Sequence, residues 1–569
     1  MALRTHLRAA VGCAVLAIVV LVGVARAALP QQSGNVDLVT QSNLTVAGMS
    51  GDQLGHGAVP TGDVNGDGIG DFVISAEGAK GGAGAAYVVF GSAGQGSIDL
   101  ASLGTGGFRI DAAAAGDALT SSFAAEGSGA AGDVNGDGLA DIIVGSSSAD
   151  TNGTDSGAAW VVFGKASSDP VDLASLGSGG FRIDGAAAND GVGTAVAGAG
   201  DVNGDGRSDV IVGATFAAPT GAGAAYVVFG KSGSSTVSLA ALGAGGYAIL
   251  GPANNANFGN AVAGGHDVNG DHVPDTIVGA SGSNQAFVVF GKASSAAVDT
   301  AALGAQGYRV FNGGNETGNS VGLTGDMNGD GLGEAIVAAR FAGNNGRTSS
   351  GSVYAVFGHS GTSAVDLGAL ASGGFRVDGA VNQAQTGRSV FDAGDFNDDG
   401  RADFIVGSLG TENLGRTGSG SASVIFGKAS ASSIDLLSPG TAAIRGDGAA
   451  SDLVGRGVGG GADVNGDGRP DVLIGSTSSN KLRVLYGFGT PALTYPTGEI
   501  DAGLGQPIAP VTPSVVKRTG PATFSAAPAI AGLSVDPATG VISGSPRASG
   551  DITVTMTDLA GSASAPMKV

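Results

Sequence analysis

Short apolar runs separated by turn-forming residues recur along most of this chain. Runs such as IIVG (142–145) and AAYVVFG (224–230) are rich in β-branched and aromatic side chains. Gly, Asn, Ser and Asp interrupt these runs, and 107 of the 569 residues are glycine. Short runs of this kind between turn residues predict strands rather than helices. The pattern therefore predicts an all-β fold.

The predicted strands belong to a unit that occurs seven times. Each unit holds an acidic loop of the form D-x-N-x-D-G-x-x-D, or a close variant, and the loops begin at Asp63, Asp133, Asp201, Asp267, Asp326, Asp395 and Asp463. A small apolar stretch precedes each loop, and two strand-like runs follow it, the second usually ending in Phe-Gly. A segment such as VDLASLGSGGFRIDG (171–185) comes next. We count about four strands per unit, which is the content of one propeller blade.

The two ends of the repeat region predict a closed ring. The seventh unit stops after RVLYG (483–487), with no VDL segment behind it, whereas an extra VDL occurs in GNVDL (34–38). An N-terminal strand that completes the last blade would close the ring and leave no free sheet edge. We therefore predict a seven-bladed β-propeller over residues 34–489.

These units resemble FG-GAP repeats, the blades of the integrin alpha-subunit propeller and of many bacterial secreted proteins. The resemblance rests on the acidic loop, on the run that follows it, such as IVGA (211–214), and on the Phe-Gly that ends the next strand. It covers residues 34–489. It implies a propeller, although the chain shows neither the inserted domain nor the long leg of the animal receptors, so receptor signalling is not implied.

The acidic loops have the composition of calcium sites. In the copy at Asp133, the carboxylates and amide of positions 1, 3 and 5 alternate, position 7 can add a backbone carbonyl, and position 9 closes the shell. Oxygen-only ligands of flexible geometry suit Ca²⁺ better than Mg²⁺. The predicted ligands are Asp63, Asn65, Asp67, Ile69, Asp71, Asp133, Asn135, Asp137, Leu139, Asp141, Asp201, Asn203, Asp205, Arg207, Asp209, Asp267, Asn269, Asp271, Val273, Asp275, Asp326, Asn328, Asp330, Leu332, Glu334, Asp395, Asn397, Asp399, Arg401, Asp403, Asp463, Asn465, Asp467, Arg469 and Asp471.

The loops also resemble EF-hand loops and metal-free Asx turns. An EF-hand needs a glutamate at the twelfth position and flanking helices, whereas Val144 stands there in the copy at Asp133, within a strand-like run. Metal-free Asx turns stay open. They would bring carboxylates together without a counter-charge, at about 4 kcal/mol per pair for a 4 Å separation and an effective dielectric constant of 20. We therefore expect up to seven Ca²⁺ ions.

The seven loops are not equivalent. His272 replaces the turn glycine of the fourth loop, Asp398 replaces a glycine of the sixth, and Glu334 replaces the closing aspartate of the fifth. Glycine adopts the positive φ of a tight turn more readily than other residues do. The fourth site is therefore predicted to be the weakest.

The N-terminal segment and the overall charge point to the outside of the cell. Residues 1–27 combine Arg4 and Arg8, an apolar run and an Ala-Arg-Ala sequence, which is typical of a signal peptide; an uncleaved membrane anchor is the alternative. Cleavage would remove Cys13, the only cysteine, and would change the net charge from −22 to −25, since three basic residues are lost. So acidic a chain is a poor candidate for binding nucleic acid.

From about residue 490 the repeat ends and proline becomes frequent. Alternating runs such as ITVTMTD (552–558), separated by Gly and Pro turns, predict a small β-sandwich. The stretch GLSVDPATGVISGSP (532–546) resembles the Ig-like modules of bacterial surface proteins. We therefore predict an Ig-like domain over residues 490–569.

Three short motifs suggest other chemistry but coincide with repeat positions. GNSVG (318–322) has the form of a hydrolase nucleophile elbow, FGKS (229–232) the end of a phosphate-binding loop, and Arg445-Gly446-Asp447 an integrin-binding tripeptide. Neighbouring units carry related residues at all three places, for example GNAVA (259–263), FGKA and RIDG (182–185). We predict no catalytic residue from them.

The leading hypothesis is a secreted or cell-surface, calcium-binding propeller that acts as an adhesion or binding module. Its ligand would be a protein or a carbohydrate, bound by the variable loops between the second and third strands, such as residues 146–157 and 340–351. We expect a monomeric propeller with no membrane span in the mature chain. The alternative is an extracellular hydrolase or lyase that uses the propeller as a scaffold.

Overall fold

The computed structural model describes residues 34–93, 96–119, 128–217, 221–252, 255–489, 492–516, 523–557 and 562–569. The predicted signal peptide, 1–27, lies outside the described residues. The seven repeat units form seven similar five-stranded sheets. Their first strands contact one another in sequence around a closed circle, the seventh against the first. The predicted seven-bladed propeller is confirmed.

In each blade four antiparallel strands run outward from the centre of the ring. The first strands are Leu54–Gly62, Ser128–Gly132, Val192–Gly200, Phe258–His266, Thr317–Thr324, Thr386–Gly394 and Val458–Ala462. The second strands are Asp71–Ala76, Asp141–Ser146, Asp209–Ala214, Asp275–Ala280, Glu334–Ala339, Asp403–Ser408 and Asp471–Ser476. The third strands are Ala85–Val89, Ala158–Val162, Ala224–Val228, Gln285–Val289, Ser352–Val356, Ser421–Ile425 and Lys481–Leu485. The fourth strands are Gly107–Asp111, Gly180–Asp184, Gly246–Leu250, Gly307–Phe311, Gly374–Asp378, Ala443–Asp447 and Leu44–Ala47.

Each blade also has a short fifth strand, which the count of four per unit did not include. It comes from the VDL segment of the following unit and pairs in parallel with the fourth strand. From the first blade to the seventh these strands are Val171–Asp172, Val237–Ser238, Val298–Asp299, Val365–Asp366, Ile434–Asp435, Gly34–Asp37 and Ser97–Asp99. The VDL segment therefore links successive blades.

The N-terminal segment closes the ring, as predicted, and does so with two strands. Leu44–Ala47 pairs with Lys481–Leu485 and supplies the fourth strand of the seventh blade. The extra VDL segment lies one blade earlier, because Gly34–Asp37 is the fifth strand of the sixth blade. Both ends of the repeat region are thereby hydrogen-bonded into sheets, and the ring is closed.

Helices are short and serve as connections. Two four-residue α-helices span Leu38–Gln41 and Ala79–Gly82, and 3-10 turns follow five of the fifth strands, at Leu100–Ser102, Leu173–Ser175, Leu239–Ala241, Thr300–Ala302 and Leu367–Ala369. Two more 3-10 turns span Gly243–Gly245 and Ser281–Ser283. No helix among the described residues is long and apolar enough to cross a membrane.

The core consists of the apolar faces between neighbouring blades. The second strands are buried on both faces, as in Asp209–Ala214. A side chain at Gly213 would place its Cβ 2.1 Å from the carbonyl oxygen of Gly259 in the next blade. Glycine therefore lets neighbouring sheets approach closely at this point, which explains one part of the repeated IVGA run.

Aromatic pairs hold the outer part of the blades. The phenylalanine that ends a third strand meets an aromatic ring of the fourth strand edge to face, for example Phe229 and Tyr247 at 6.0 Å between ring centres. Lys292 of the next unit lies over the Tyr247 ring, with Nζ 4.1 Å from its centre. Edge-to-face aromatic pairs contribute about 0.5–1.5 kcal/mol beyond the area they bury. The Phe-Gly-Lys sequence is thus a structural clamp, and Lys231 of FGKS lies over Phe181 in the same way.

The C-terminal region is a small β unit with its own core. Its strands are Ala492–Thr494 with Ser514–Val516, then Thr523–Ala527, Asp551–Thr557 and Ser562–Lys568 in one sheet, and Leu533–Val535 with Ile542–Gly544. Buried side chains such as Phe524, Ile542 and Met556 form a separate apolar cluster. Alternation of buried and exposed residues along Asp551–Thr557 matches the predicted strand.

Candidate functional site

The seven acidic loops all join first strands to second strands and therefore lie on one face of the ring, which we call the lower face. In each loop the backbone folds around the first aspartate. Oδ1 of Asp133 accepts hydrogen bonds from the amides of Gly136 and Asp137, at 2.7 and 3.1 Å, and Oδ2 accepts one from Gly138 at 2.9 Å. The first carboxylate thus shapes the turn from within.

Positions 4 and 6 of the loop need left-handed backbone. Gly136 and Gly138 have φ of 81° and 91°. His272 and Asp398 replace such glycines and adopt φ of 66° and 57°. The left-handed region costs an ordinary residue roughly 1–2 kcal/mol. The sequence-based expectation that these two residues must tolerate a glycine turn agrees with the structure, whereas the weakness of the fourth site stays a prediction.

The closing acid at position 9 links the loop to the Phe-Gly turn of the same blade by hydrogen bonds. This role was not predicted from the sequence. Asp141 is fully buried. Its Oδ2 accepts a hydrogen bond from Val134 N at 2.9 Å, and its Oδ1 accepts one from Gly164 N, of the Phe-Gly pair, at 2.8 Å. The same two hydrogen bonds are accepted by Asp71, Asp209, Asp275, Asp403 and Asp471. The repeated spacing of loop and Phe-Gly is the signal that could have revealed it.

Burial of these carboxylates perturbs their ionisation. Burial, with a contribution from Asp137 and Asp133, raises the pKa of Asp141 to about 7 although two amides donate to it. The pKa values of Asp71, Asp209 and Asp275 are also raised to about 7, and those of Glu334 and Asp471 to about 8, with burial as the largest cause. Burial likewise raises the pKa of Asp403. A cation beside these groups would compensate their buried charge.

The fifth loop departs from the others. The longer Glu334 side chain accepts from Met327 N at 2.8 Å and from Asn328 Nδ2 at 2.9 Å. Carboxylate oxygens of Asp326, Asp330 and Glu334 lie within 4.8 Å of one another, the one such cluster among the residues that the structure describes. This acidic cluster can hold a divalent cation.

The donor set of the loops fits calcium. In the copy at Asp133, the Asn135 amide donates from Nδ2 to Asp137 Oδ2 at 2.9 Å, so the carboxylate at position 5 faces a hydrogen-bond donor inside the loop. The Leu139 amide is held by Asp137 Oδ1 at 2.9 Å. The candidate ligand atoms of the loop are all oxygens, as hard cations require. The residues at positions 1, 3, 5, 7 and 9 would hold the ion, which would supply charge compensation.

Neighbouring loops are hydrogen-bonded in series around the lower face. The amide at position 8 of one loop donates to the carbonyl oxygen at position 1 of the preceding loop, as Ala140 N does to Asp63 O at 2.9 Å. Five junctions have this bond. Pro274 and Pro470 occupy position 8 at the other two, and proline has no amide hydrogen to donate. At these five junctions, the conformation of one loop is therefore coupled directly to that of the next.

The upper face carries the loops that vary. The connections between second and third strands lie there, together with those between blades. Their lengths differ: four residues, 281–284, in the fourth blade and twelve, 340–351, in the fifth. Ion pairs brace some of them, for example Arg347 with Asp435 at 2.8 Å and Arg416 with Asp37 at 2.7 Å.

The centre of the ring contains a polar pair that the repeat does not explain. His266 Nε2 and Asp392 Oδ2 lie 3.7 Å apart in a cavity of about 250 Å³ lined mainly by small and apolar residues of the first strands. Burial opposes protonation of His266, but the interaction with Asp392 outweighs it and raises the pKa of the imidazole. In the sequence, His266 directly precedes the fourth loop.

The short motifs have structural roles. Ser320 is buried, and its hydroxyl oxygen accepts a hydrogen bond from Val390 N of the next blade at 3.1 Å. Asp447 is fully buried in a fourth strand and pairs with Arg445 at 2.9 Å. Because it is buried, Ser320 is not presented as a nucleophile. Because Asp447 is buried, the Arg445-Gly446-Asp447 sequence is not presented as a recognition tripeptide.

Fold and loops together define a β-propeller of seven blades with an acidic Asx loop in each. The FG-GAP repeat family matches residues 57–89, 127–162, 192–228 and 454–490. The chain therefore forms a seven-bladed β-propeller that carries FG-GAP repeats. Similar proteins include Integrin alpha pat-2 of Caenorhabditis elegans, 42% identical over 101 residues, and Integrin alpha-PS2 of Drosophila melanogaster, 36% identical over 89 residues. These segments cover 18% and 16% of this chain but only 8% and 6% of the relatives.

Proposed function

We propose that this protein is a secreted or cell-surface propeller, stiffened by calcium, that binds a protein or glycan ligand on its upper face and serves in adhesion. The observation that carries the proposal is the division between the two faces. Loops that keep one pattern in all seven blades lie on the lower face, and loops that vary in length and composition lie on the upper face. Variable loops on a rigid frame are where binding usually resides.

The chain organisation of the proposal is a signal peptide at 1–27, the propeller at 34–489 and an Ig-like domain at 490–569. Calcium would be held in up to seven loops by the residues at positions 1, 3, 5, 7 and 9. Because the loops are coupled through position 8, an ion in one loop would also order its neighbours. The similarity of the matched segments to integrin alpha chains supports a binding role.

The test is an array of glycans and matrix proteins probed with the purified protein, in calcium and in EGTA. We expect a ligand that is bound in calcium and is lost or weakened in EGTA. Failure to bind any glycan or matrix protein in either condition would contradict the binding role. Metal analysis of the dialysed protein gives the number of calcium ions independently.

An extracellular hydrolase or lyase is the second candidate, and the His266–Asp392 pair favours it. A paired imidazole and carboxylate in a partly enclosed cavity is an arrangement that can transfer protons. A screen of ester and polysaccharide substrates tests this candidate. Activity that disappears in both His266→Ala and Asp392→Asn would support it, and full activity in both variants would refute a role for the pair.

A further inference from the structure

The upper face has a recess above the fourth blade. The four-residue connection of that blade, 281–284, is followed around the ring by the twelve-residue connection of the fifth blade, 340–351. The long loop therefore forms a wall beside a short one. The resulting pocket has a volume of about 540 Å³ and is lined by Asn257, Ser281, Gly282, Asn284, Asn315, Glu316, Arg340 and Phe341. Pockets for small ligands span roughly 300–1,000 Å³.

One wall of the pocket departs from the repeat. At the equivalent position of the repeat, ahead of the first strand, four other blades have an aspartate that caps its own loop: Asp52 accepts from Met49 N, Asp117 from Ala114 N, Asp190 from Ala187 N and Asp452 from Ala449 N, at 2.8 to 3.1 Å. Asn315 holds this position in the fifth blade. Its side chain makes no such bond to any residue that the structure describes, and it is exposed. Its amide is thereby available to a ligand.

Hydrogen bonds hold Arg340, Glu316 and Asn284 of the pocket in place. Arg340 donates from Nε to Glu316 Oε2 at 2.7 Å, and its guanidinium lies 4.7 Å from the centre of the Phe341 ring. Asn284 Oδ1 accepts from Glu316 N at 2.9 Å, which leaves the amide Nδ2 for a ligand. Asn257 is exposed and, like Asn315, has no side-chain bond to a described residue. Fixed side chains lose little entropy on binding.

This combination matches the chemistry of a sugar. Asparagine amides offer a donor and an acceptor side by side, which suits neighbouring hydroxyl groups. The half-buried Phe341 offers an apolar surface for the C–H face of a pyranose ring. Arg340 and Glu316 neutralise each other, so the pocket has no net charge to favour an anion. A protein hot spot would instead need a dry apolar centre.

We propose that this pocket binds a neutral glycan. The proposal rests on the binding role proposed above and adds the site and the class of ligand. Asn315, Arg340 and Phe341 would select the sugar, and Asn257 and Asn284 line the rest of the pocket.

The experiment uses the full chain, produced in a host without N-glycosylation because Asn315 lies in an Asn-Glu-Thr sequence. An array of neutral oligosaccharides built from hexose, N-acetylhexosamine and fucose is probed in calcium, and the best binder is measured by calorimetry. We expect Phe341→Ala and Arg340→Gln each to weaken binding at least tenfold. Phe216→Ala is the matched control, because Phe216 occupies the corresponding loop position of the third blade and is exposed; it should bind as the parent does.

Each outcome decides the matter. Parent-like melting temperatures with lost glycan binding in the two pocket variants support the pocket; if one variant is unstable, the other and Glu316→Gln provide the same comparison. Equal binding by parent and pocket variants overturns the site, while glycan binding itself still supports the binding role. Binding to matrix proteins without any neutral glycan overturns the ligand class alone. Silence on both arrays overturns the pocket and the proposed function together.

Discussion

The two faces of the propeller differ in what repetition means for them. On the lower face, six loops keep the same two hydrogen bonds to the closing acid, and five junctions repeat the bond between neighbouring loops. On the upper face, loops differ in length, in charge and in the residues that brace them. Repetition marks the parts that make the ring rigid, and departure from it marks the parts that are free to bind. The predictions below test whether the faces are separable in this way.

Removal of calcium should have the largest effect. If a site binds with a Kd near 10 μM at about 1 mM calcium, each ion adds about 2.7 kcal/mol to the free energy of unfolding. Melting in calcium and in EGTA measures the sum over the occupied loops, and we expect a large fall of the propeller transition in EGTA. An unchanged melting temperature would show that the loops are Asx turns without metal.

Loss of a closing acid should be the next largest effect, and a part of it should persist without calcium. Asp141→Ala leaves the buried amides of Val134 and Gly164 without an acceptor, at a cost of about 2–4 kcal/mol in total. The matched variant Asp137→Asn alters an exposed loop carboxylate and should destabilise in calcium only. Denaturation of both variants in calcium and in EGTA separates the contribution of the Asp141 hydrogen bonds from that of calcium binding.

The calcium effect should also depend on pH. The pKa of the closing acids in the folded protein, about 7 for Asp71, Asp141, Asp209 and Asp275, lies above the usual value of 3.8. Their contribution to stability in EGTA is therefore fully present below about pH 4 and is lost as the pH rises through 7. We expect the melting difference between calcium and EGTA to be larger at pH 8 than at pH 5. A difference in melting temperature that is constant over this interval would contradict the prediction that buried closing acids ionise as the pH rises.

The smallest expected effect concerns the fourth loop. His272→Gly removes a side chain from left-handed backbone and should stabilise the protein by about 1 kcal/mol while strengthening calcium binding to this loop. The reciprocal variant Gly206→His in the third loop should weaken that site by a similar amount. Calcium titration by calorimetry checks both. Weaker binding by His272→Gly would instead show that the imidazole, 3.7 Å from Asp267 Oδ2, assists the site.

Much of the architecture was predictable because it depends on local patterns repeated in register. The seven loops, the strands beside them and the need for an N-terminal closing strand follow from the sequence. The fifth strand of each blade was not predicted, since two residues such as Val171–Asp172 pair with a strand of the preceding unit. The closing acids were assigned only as ligands, because their bonds to the Phe-Gly amide join positions about twenty residues apart across a blade. The His266–Asp392 pair joins the fourth and sixth blades and has no trace in local pattern.

The sequence by itself determined the number of blades, the strand order within each and the chemistry of the loops, because short-range turn geometry and apolar alternation are properties of neighbouring residues. Only the tertiary structure decided which strand completes the ring, where Leu44–Ala47 meets Lys481–Leu485, and which upper-face loops adjoin to form a pocket. These contacts depend on closure of the whole circle. Residues far apart in the chain become neighbours only when every blade is in place.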